Sequence, residues 1–285
     1  MKNRHEKIVL EAEKGITFEV SEGTSGELII RAQNIMAAAN VYSENYVNPP
    51  IPEGYKHVLG GWEEGFVIER CTDGSQFGWI PVGYLDPDGT LDGEHFCEKF
   101  GRRNYLNDTF SAKGFNEPLE GELLETWESI KKYGGFYISC YEISCDQDRI
   151  PKSVKGFRPC LNIDWFVAEK YAKTFGDGKT SQSHLPFGAE YDSVLAWFIK
   201  SGAKTTSEIS KNSESHQKRY ENNIYDFASN VGEWTAERFR EGFCHVARGG
   251  MFDGRGGNCP VAYRLPCNPG GWYIDVGFRA TLYVK

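Results

Sequence analysis

The chain has 285 residues, of which 40% are hydrophobic, 14% aromatic and 25% charged, a balance that supports a buried core and excludes a largely disordered protein. Its 32 basic and 40 acidic residues give a formal net charge of -8, and no basic stripe is read to interrupt that balance. Nucleic acid and anionic membrane are therefore excluded as expected partners.

Residues 1–15 are charged throughout and hold no apolar run of signal-peptide length, and no later segment approaches a membrane span. The expectation is synthesis in the cytoplasm without a signal peptide and without membrane insertion. A place outside the cell would then require packaging into a larger particle, such as a virion. From residue 7 to 31, apolar stretches at 8–10, 16–20 and 28–30 are separated by Lys14-Gly15 and by the turn formers of residues 23–26, which predicts a small β unit. A short helix is expected over 35–41. Asn48-Pro49-Pro50-Ile51-Pro52 then stops regular structure. The boundary is drawn there, between an N-terminal unit of residues 1–50 and a domain of residues 51–285.

Beyond it, strands are expected at 77–82 and 135–143. A helix is expected over 120–132, where Leu123, Leu124, Trp127 and Ile130 recur at helical spacing. A second helix is expected over 163–175, with Trp165, Phe166, Ala168, Tyr171 and Ala172 on its apolar face and Asn162 or Asp164 as the cap. A third is expected over 188–201. Residues 205–223 read as an exposed connection. Few helices, many short strands and long loops define an α+β domain whose loops carry the work.

The eight cysteines form no CxxC pair and no zinc-spaced Cys/His cluster, so they read as free thiols of a reducing compartment. His184 beside Ser183 lacks a GxSxG elbow and reads as a loop residue. Asp86, Asp88, Asp92 and Glu94 lack EF-hand spacing and read as a solvated acidic turn. Trp234 and Tyr225, large apolar bodies with polar tips, suit a core that anchors loops. Glu233 is expected to pair with Arg248 or Arg279, and Gly249, Gly250 and Gly277 suit tight turns or close backbone approach.

Several blocks in order resemble one family. They are Phe77 to Gly83; Gly135 to Ile143; Leu161-Asn162-Ile163-Asp164-Trp165; Leu185-Pro186-Phe187-Gly188-Ala189-Glu190-Tyr191; Asn223 to Trp234; Arg248-Gly249-Gly250; and Gly277-Phe278-Arg279. Together they resemble formylglycine-generating-enzyme domains, also called sulfatase-modifying factor domains. The resemblance implies a C-type-lectin-like fold of that subtype, carried beside the small N-terminal β unit.

Enzymes of that family use a cysteine pair after the RGG strand to hold copper and attack a substrate thiol. Counted from Arg248, those positions fall on Gly254 and Cys259, so the pair is incomplete. One thiolate lacks both the second soft ligand and the exchange partner. Cys244 and Cys267 do not stand at the family's spacing, and the six histidines include no HxxxH pair for an iron site. No catalytic residue is assigned and no cofactor is required. Family members hold calcium near the block containing Asn230, and the resemblance leaves open a structural calcium held by Asn230 and nearby carbonyls, although Ser229 and Gly232 depart from that pattern and the spacing gives it no support.

The frame of Arg248-Gly249-Gly250, Pro260-Val261-Ala262-Tyr263-Arg264 and Gly277-Phe278-Arg279 also resembles the variable proteins of diversity-generating retroelements, in phages and bacteria. There, template-directed adenine mutagenesis alters surface residues on a constant lectin-like scaffold. The resemblance implies a variable region at about 243–275, whose residues show neither strand alternation nor helical spacing in their outer parts. The implied contacts are Phe243, Cys244, His245, Met251, Phe252, Asp253, Arg255, Asn258, Cys259, Leu265, Cys267, Asn268, Trp272, Tyr273, Ile274 and Asp275. Met251, Phe252, Trp272 and Tyr273 would be anchors, since aromatic groups dominate binding energy. The function so implied is non-catalytic binding of a protein or cell-surface ligand by a phage-encoded receptor-binding protein, attached to a larger particle through its N-terminal unit. Two alternatives stand beside it: a diverged formylglycine-generating oxidase and a structural interaction module.

Overall fold

A computed structural model describes residues 16–22, 28–34, 49–61, 65–82, 100–106, 121–205, 209, 220–227, 230–239, 244–249 and 260–285. The chain divides into two compact units, Met1–Asn48 with Leu85–Thr90, and Pro49–Tyr84 with Leu91–Lys285. In the first, β1 (Ile16–Glu22) and β2 (Leu28–Asn34) form an antiparallel pair in which Val20 faces Ile30. The strand expected at 8–10 and the helix expected over 35–41 lie outside the described residues.

The second unit is a sheet-dominated α+β body with three helices among the described residues. It opens with β3 (Tyr55–Leu59), β4 (Val67–Arg70) and β5 (Gln76–Pro81), followed by α1 (Gly121–Tyr133) and β6 (Gly135–Ser139). Next come the short pair β7 (Ser144–Cys145) and β8 (Pro151–Lys152), then α2 (Trp165–Ala172), β9 (Ser181–His184) and α3 (Gly188–Lys200). The hairpin β10 (Tyr220–Glu221) and β11 (Ile224–Tyr225) precedes β12 (Gly232–Phe239), β13 (Cys244–Arg248), β14 (Arg264–Cys267), β15 (Val276–Phe278) and β16 (Thr281–Val284).

Two sheets organise this unit. The six-stranded sheet runs β3-β4-β5-β6-β16-β9 and is antiparallel throughout. The four-stranded sheet runs β14-β13-β12-β15, with β15 parallel to β12. Helix α1 packs on β6 and β16, and α3 packs on β5 and β12. The core between them gathers Ile80, Phe136, Ile138, Leu195, Phe198 and Phe227, all essentially solvent-free.

Each helix has a local cause. In α1, Leu123 and Ile130 turn inward at helical spacing, and Lys131 and Lys132 sit in the last turn, where the helix dipole favours cations. Leu124, expected inward, is exposed. The second helix is shorter than expected: Asp164 rather than Asn162 caps it, accepting a hydrogen bond from Val167 N at 2.8 Å. Its inward face is Trp165, Ala168 and Ala172, while Phe166 faces water. Helix α3 begins where the Glu190 carboxylate accepts from Phe187 N at 2.8 Å.

Four further expectations are corrected. The strand expected over 135–143 stops at Ser139, since Ile143 N already donates to Phe278 O at the other sheet's edge. The connection expected to be exposed over 205–223 buries Ile209 in the core and ends in the β10/β11 hairpin. The turn of that hairpin, Asn222-Asn223, has φ of +47° and +63°, values that asparagine tolerates and two-residue hairpins require. His184 is a buried strand residue with Nε2 at 2.9 Å from Glu190 Oε1, not a loop residue. Cys145 and Cys160 are not free thiols: they form a disulfide with Cα atoms 5.2 Å apart. Pairing of β7 with β8, and the bridge from Ser144 to Pro159, folds the chain back so that these two cysteines meet.

Candidate functional site

The frame of the candidate site rests on three buried arginines. Arg279 donates through Nε to Glu233 Oε1 at 2.6 Å, through Nη1 to Ser139 O and Cys140 O, and through Nη2 to Tyr225 O. One fully buried guanidinium thus ties β12, the end of β6 and β11 through its planar set of donors. Nearby, Glu142 accepts from Asn230 Nδ2 and from Val231 N. Burial pushes both the Glu142 and the Glu233 carboxyls above the usual carboxylate range, against the pull of Arg279.

Arg248 faces Glu233 in the β12/β13 register, yet its side chain turns elsewhere. It donates to Asp192 at 2.7 Å and Glu237 at 3.1 Å and lies over the Tyr191 ring. Arg264, its register partner on β14, donates to the same two carboxylates at 2.5 and 2.7 Å, and Arg102 reaches Glu237 at 2.5 Å. The expected pairing of Glu233 is therefore with Arg279, not Arg248. Gly249 sits at φ +87°, with the Tyr191 hydroxyl 3.1 Å from where a Cβ would stand.

This frame places the tail segment. Strands β13 and β14 bring His245 beside Cys267. Beyond them, Gly271 N donates to Asn268 O, Asn268 N donates to the Tyr273 hydroxyl at 3.2 Å, and Asn162 N donates to Tyr273 O at 3.1 Å. Trp165 N donates to Pro269 O, and Gly232 N to Asp275 O. The Tyr273 ring packs edge-on against Trp234, with centroids 5.6 Å apart. On this pinned segment Trp272 is 70% exposed and Ile274 62% exposed. Asn268 is exposed, and Leu265, Tyr273, Asp275 and Cys244 are half-buried.

Two expected contacts are corrected. His245 is buried against Trp165, with ring centroids 3.7 Å apart, and burial lowers its imidazole to about 4. Cys267 is buried, which raises its thiol to about 12. Both face inward because His245 and Cys267 are register partners, so strand alternation sends them to one side together. Arg264–Cys267 also forms a strand where none was expected. Phe243, Met251, Phe252, Asp253, Arg255, Asn258 and Cys259, with Gly254, lie outside the described residues.

Sequence reasoning missed two exposed aromatics that flank, along the chain, the residues 160–165 bonded to this segment. Phe166 is 57% exposed and Phe157 is 64% exposed. For Phe166 the signal was available: neighbours on a helix point about 100° apart, so Trp165 and Phe166 cannot share a narrow buried face. Among the described residues no group of three or more His, Cys, Asp or Glu side chains could hold a metal, and no helix is long and apolar enough to cross a membrane.

No family model matches the sequence, and no curated protein matches it. Among solved structures, the chain is similar to Treponema denticola variable protein 1, with a TM-score of 0.35 and 18% identity, over 52% of this chain and 84% of that one. It is also similar to the protein in the crystal structure of CarF, with a TM-score of 0.36 and 16% identity, over 53% of this chain and 87% of that one. At these values neither likeness assigns a fold subtype or an activity to the chain.

Proposed function

We propose that this chain is a non-catalytic binding protein with a C-type-lectin-like scaffold, and that its C-terminal segment is a diversified contact surface for a protein or cell-surface ligand. The observation that carries the reading is the pairing of exposure with restraint at Trp272. The indole is presented to solvent on a backbone already held by Asn268, Tyr273 and Asn162, so little ordering entropy remains to be lost on binding. Large aromatic groups held in this way are the typical anchors of interfaces.

The incomplete oxidase pair, Gly254 and Cys259, argues for contact without chemistry. The frame arginines are the parts that a variable surface has to keep constant, since each bridges several elements. In this reading the gene belongs to a phage or bacterial diversity-generating cassette, and residues 1–50 attach the protein to a larger particle.

The test is genetic. Sequencing the gene across a population, with its neighbourhood, is expected to reveal substitutions concentrated at the codons for 265, 268, 272, 274 and 275 and absent at Arg248, Arg264, Tyr273 and Arg279. A reverse transcriptase and an adenine-rich near-copy of the last coding stretch are expected beside it. Substitutions spread evenly over the exposed surface, with no such copy, would overturn the proposal.

A further inference from the structure

Residues 149–163 contain Arg149, Lys152, Lys155 and Arg158 and no acidic residue, within a chain of net charge -8. This corrects the expectation that no basic stretch interrupts the acidic balance. Lys152 is paired with Asp146 at 3.1 Å, whereas Arg149, Lys155 and Arg158 are exposed. Lys155 and Arg158 flank Phe157 in sequence, itself 64% exposed, on a loop closed by the Cys145–Cys160 disulfide; the loop's two carboxylates, Asp146 and Asp148, lie at its far end, Asp146 paired with Lys152.

The loop leads directly to the candidate surface. The chain from Cys160 to Trp165 runs antiparallel to residues 269–277. A Cβ on Gly277 would lie 3.5 Å from Cys160 O, Asn162 N donates to Tyr273 O, and Trp165 N donates to Pro269 O. In sequence, Phe157 and Phe166 flank the two ends of this contacting segment, with Trp272 and Ile274 exposed on the adjoining strand of chain.

We infer that Phe157 and Phe166, with Lys155 and Arg158, form a second and fixed half of the contact face, one that recognises a protein surface with an apolar centre and an acidic rim. The inference rests on the binding reading above and adds to it the chemistry of the partner. Two exposed aromatics supply apolar anchoring, and the adjacent cations supply orientation. A molecule that is acidic overall repels an acidic partner at most approach angles, so a local cationic patch selects the productive one. The patch is too small for phosphate-backbone binding, which draws on many neutralised charges at once. A fixed half beside an exchangeable one also keeps the docking orientation constant while the residues around Trp272 change.

The experiment uses the full chain and three fluorescent probes: two short synthetic peptides with the same Trp/Leu centre, one flanked by Glu and one by Lys, and a single-stranded oligothymidine. Anisotropy at low salt is expected to show the Glu-flanked peptide binding about ten-fold more tightly than the Lys-flanked one, a gap that narrows with added salt. Lys155→Glu with Arg158→Glu is expected to erase that gap, and Phe157→Ser to weaken the Glu-flanked peptide by about five-fold. All these positions are exposed, so the variants fold, which a melting curve checks. Equal affinity for both peptides, a gap indifferent to the charge reversals, or oligothymidine binding as tight as the acidic peptide overturns the inference. If Trp272→Ala weakens binding while Phe157→Ser and the charge reversals do not, this inference falls and the proposed function stands. If the reverse holds, the fixed half stands and the role of the C-terminal segment falls.

Discussion

Trp165 and His245 stack with ring centroids 3.7 Å apart, and the Trp165 indole donates to Thr235 O at 2.8 Å, so one aromatic pair joins α2 to the four-stranded sheet beneath the candidate surface. Since Trp165 N also holds Pro269 O, this side chain and its backbone fix both the helix and the tail segment. Trp165→Ala is expected to cost about 3–5 kcal/mol in urea unfolding, the range for truncating a buried aromatic. A loss near zero would mean that α2 is held by other contacts.

The buried imidazole gives a pH signature. Its folded value, lowered to about 4 by burial, lies below the ordinary histidine value of about 6.5. The unfolded chain therefore takes up the proton first, and stability present above about 6.5 is lost as pH falls toward 4. His245→Phe keeps the stack and removes the proton site, so its melting temperature is expected to fall less over that window. Parallel acid limbs for the variant and the parent would show that other groups set the slope.

Much of the scaffold was legible in the sequence because it rests on local rules. Leu123 and Ile130 repeat at helical spacing, Asp164 precedes an apolar run, and the apolar stretches at 16–20 and 28–30 pair as a hairpin. What could not be read was decided by residues far apart in the chain. Asp192 joins Arg248 and Arg264 over separations of 56 and 72 residues, and no spacing rule links them. The same holds for the disulfide, whose two cysteines meet where β7 pairs with β8. At the candidate site the composition of the tail was informative, but its facing was not: only the β13/β14 register reveals that His245 and Cys267 turn in.

Arg279 is the point where the frame is most exposed to mutation. Replacing it with Met leaves Glu233 buried without its cation and frees three carbonyl acceptors. The expected loss is about 3–5 kcal/mol, as for other buried ion pairs broken from one side. Adding Glu233→Gln to Arg279→Met is expected to recover part of that loss, because the stranded charge is removed. A double variant as unstable as the summed single ones would show that the ion pair is not what Arg279 contributes.

Glu142 carries the opposite pH signature to His245. Burial is the largest influence on its carboxyl, with Glu233 adding to it, and the folded value lies well above the unfolded one. A group shifted in this direction contributes fully below its unfolded value and loses that contribution as pH rises through its folded one. The Glu142 contribution to the melting temperature is therefore expected to decline from the ordinary carboxylate range upward into mildly alkaline pH, and Glu142→Gln, which mimics the neutral acid, is expected to gain on the parent over that range. A variant that loses ground to the parent as pH rises would reverse the assignment.

Trp272 and Tyr273 are neighbours with different expected roles, and a pair of variants separates them. Tyr273 packs edge-on to Trp234 and accepts from Asn268 N, so it belongs to the support of the segment. Trp272 is 70% exposed, and truncating a side chain in that position is usually within about 0.5 kcal/mol of neutral. Trp272→Ala is accordingly expected to melt like the parent, while Tyr273→Ala loses about 1–3 kcal/mol through its ring contact and the freed amide. This split is the thermodynamic mark of an anchor kept for contact rather than for folding, since natural chains expose so large an apolar group on a restrained backbone at a cost in solubility. Should Trp272→Ala destabilise the chain as much as Tyr273→Ala, the indole is part of the packed frame and the C-terminal segment presents no anchor to a partner.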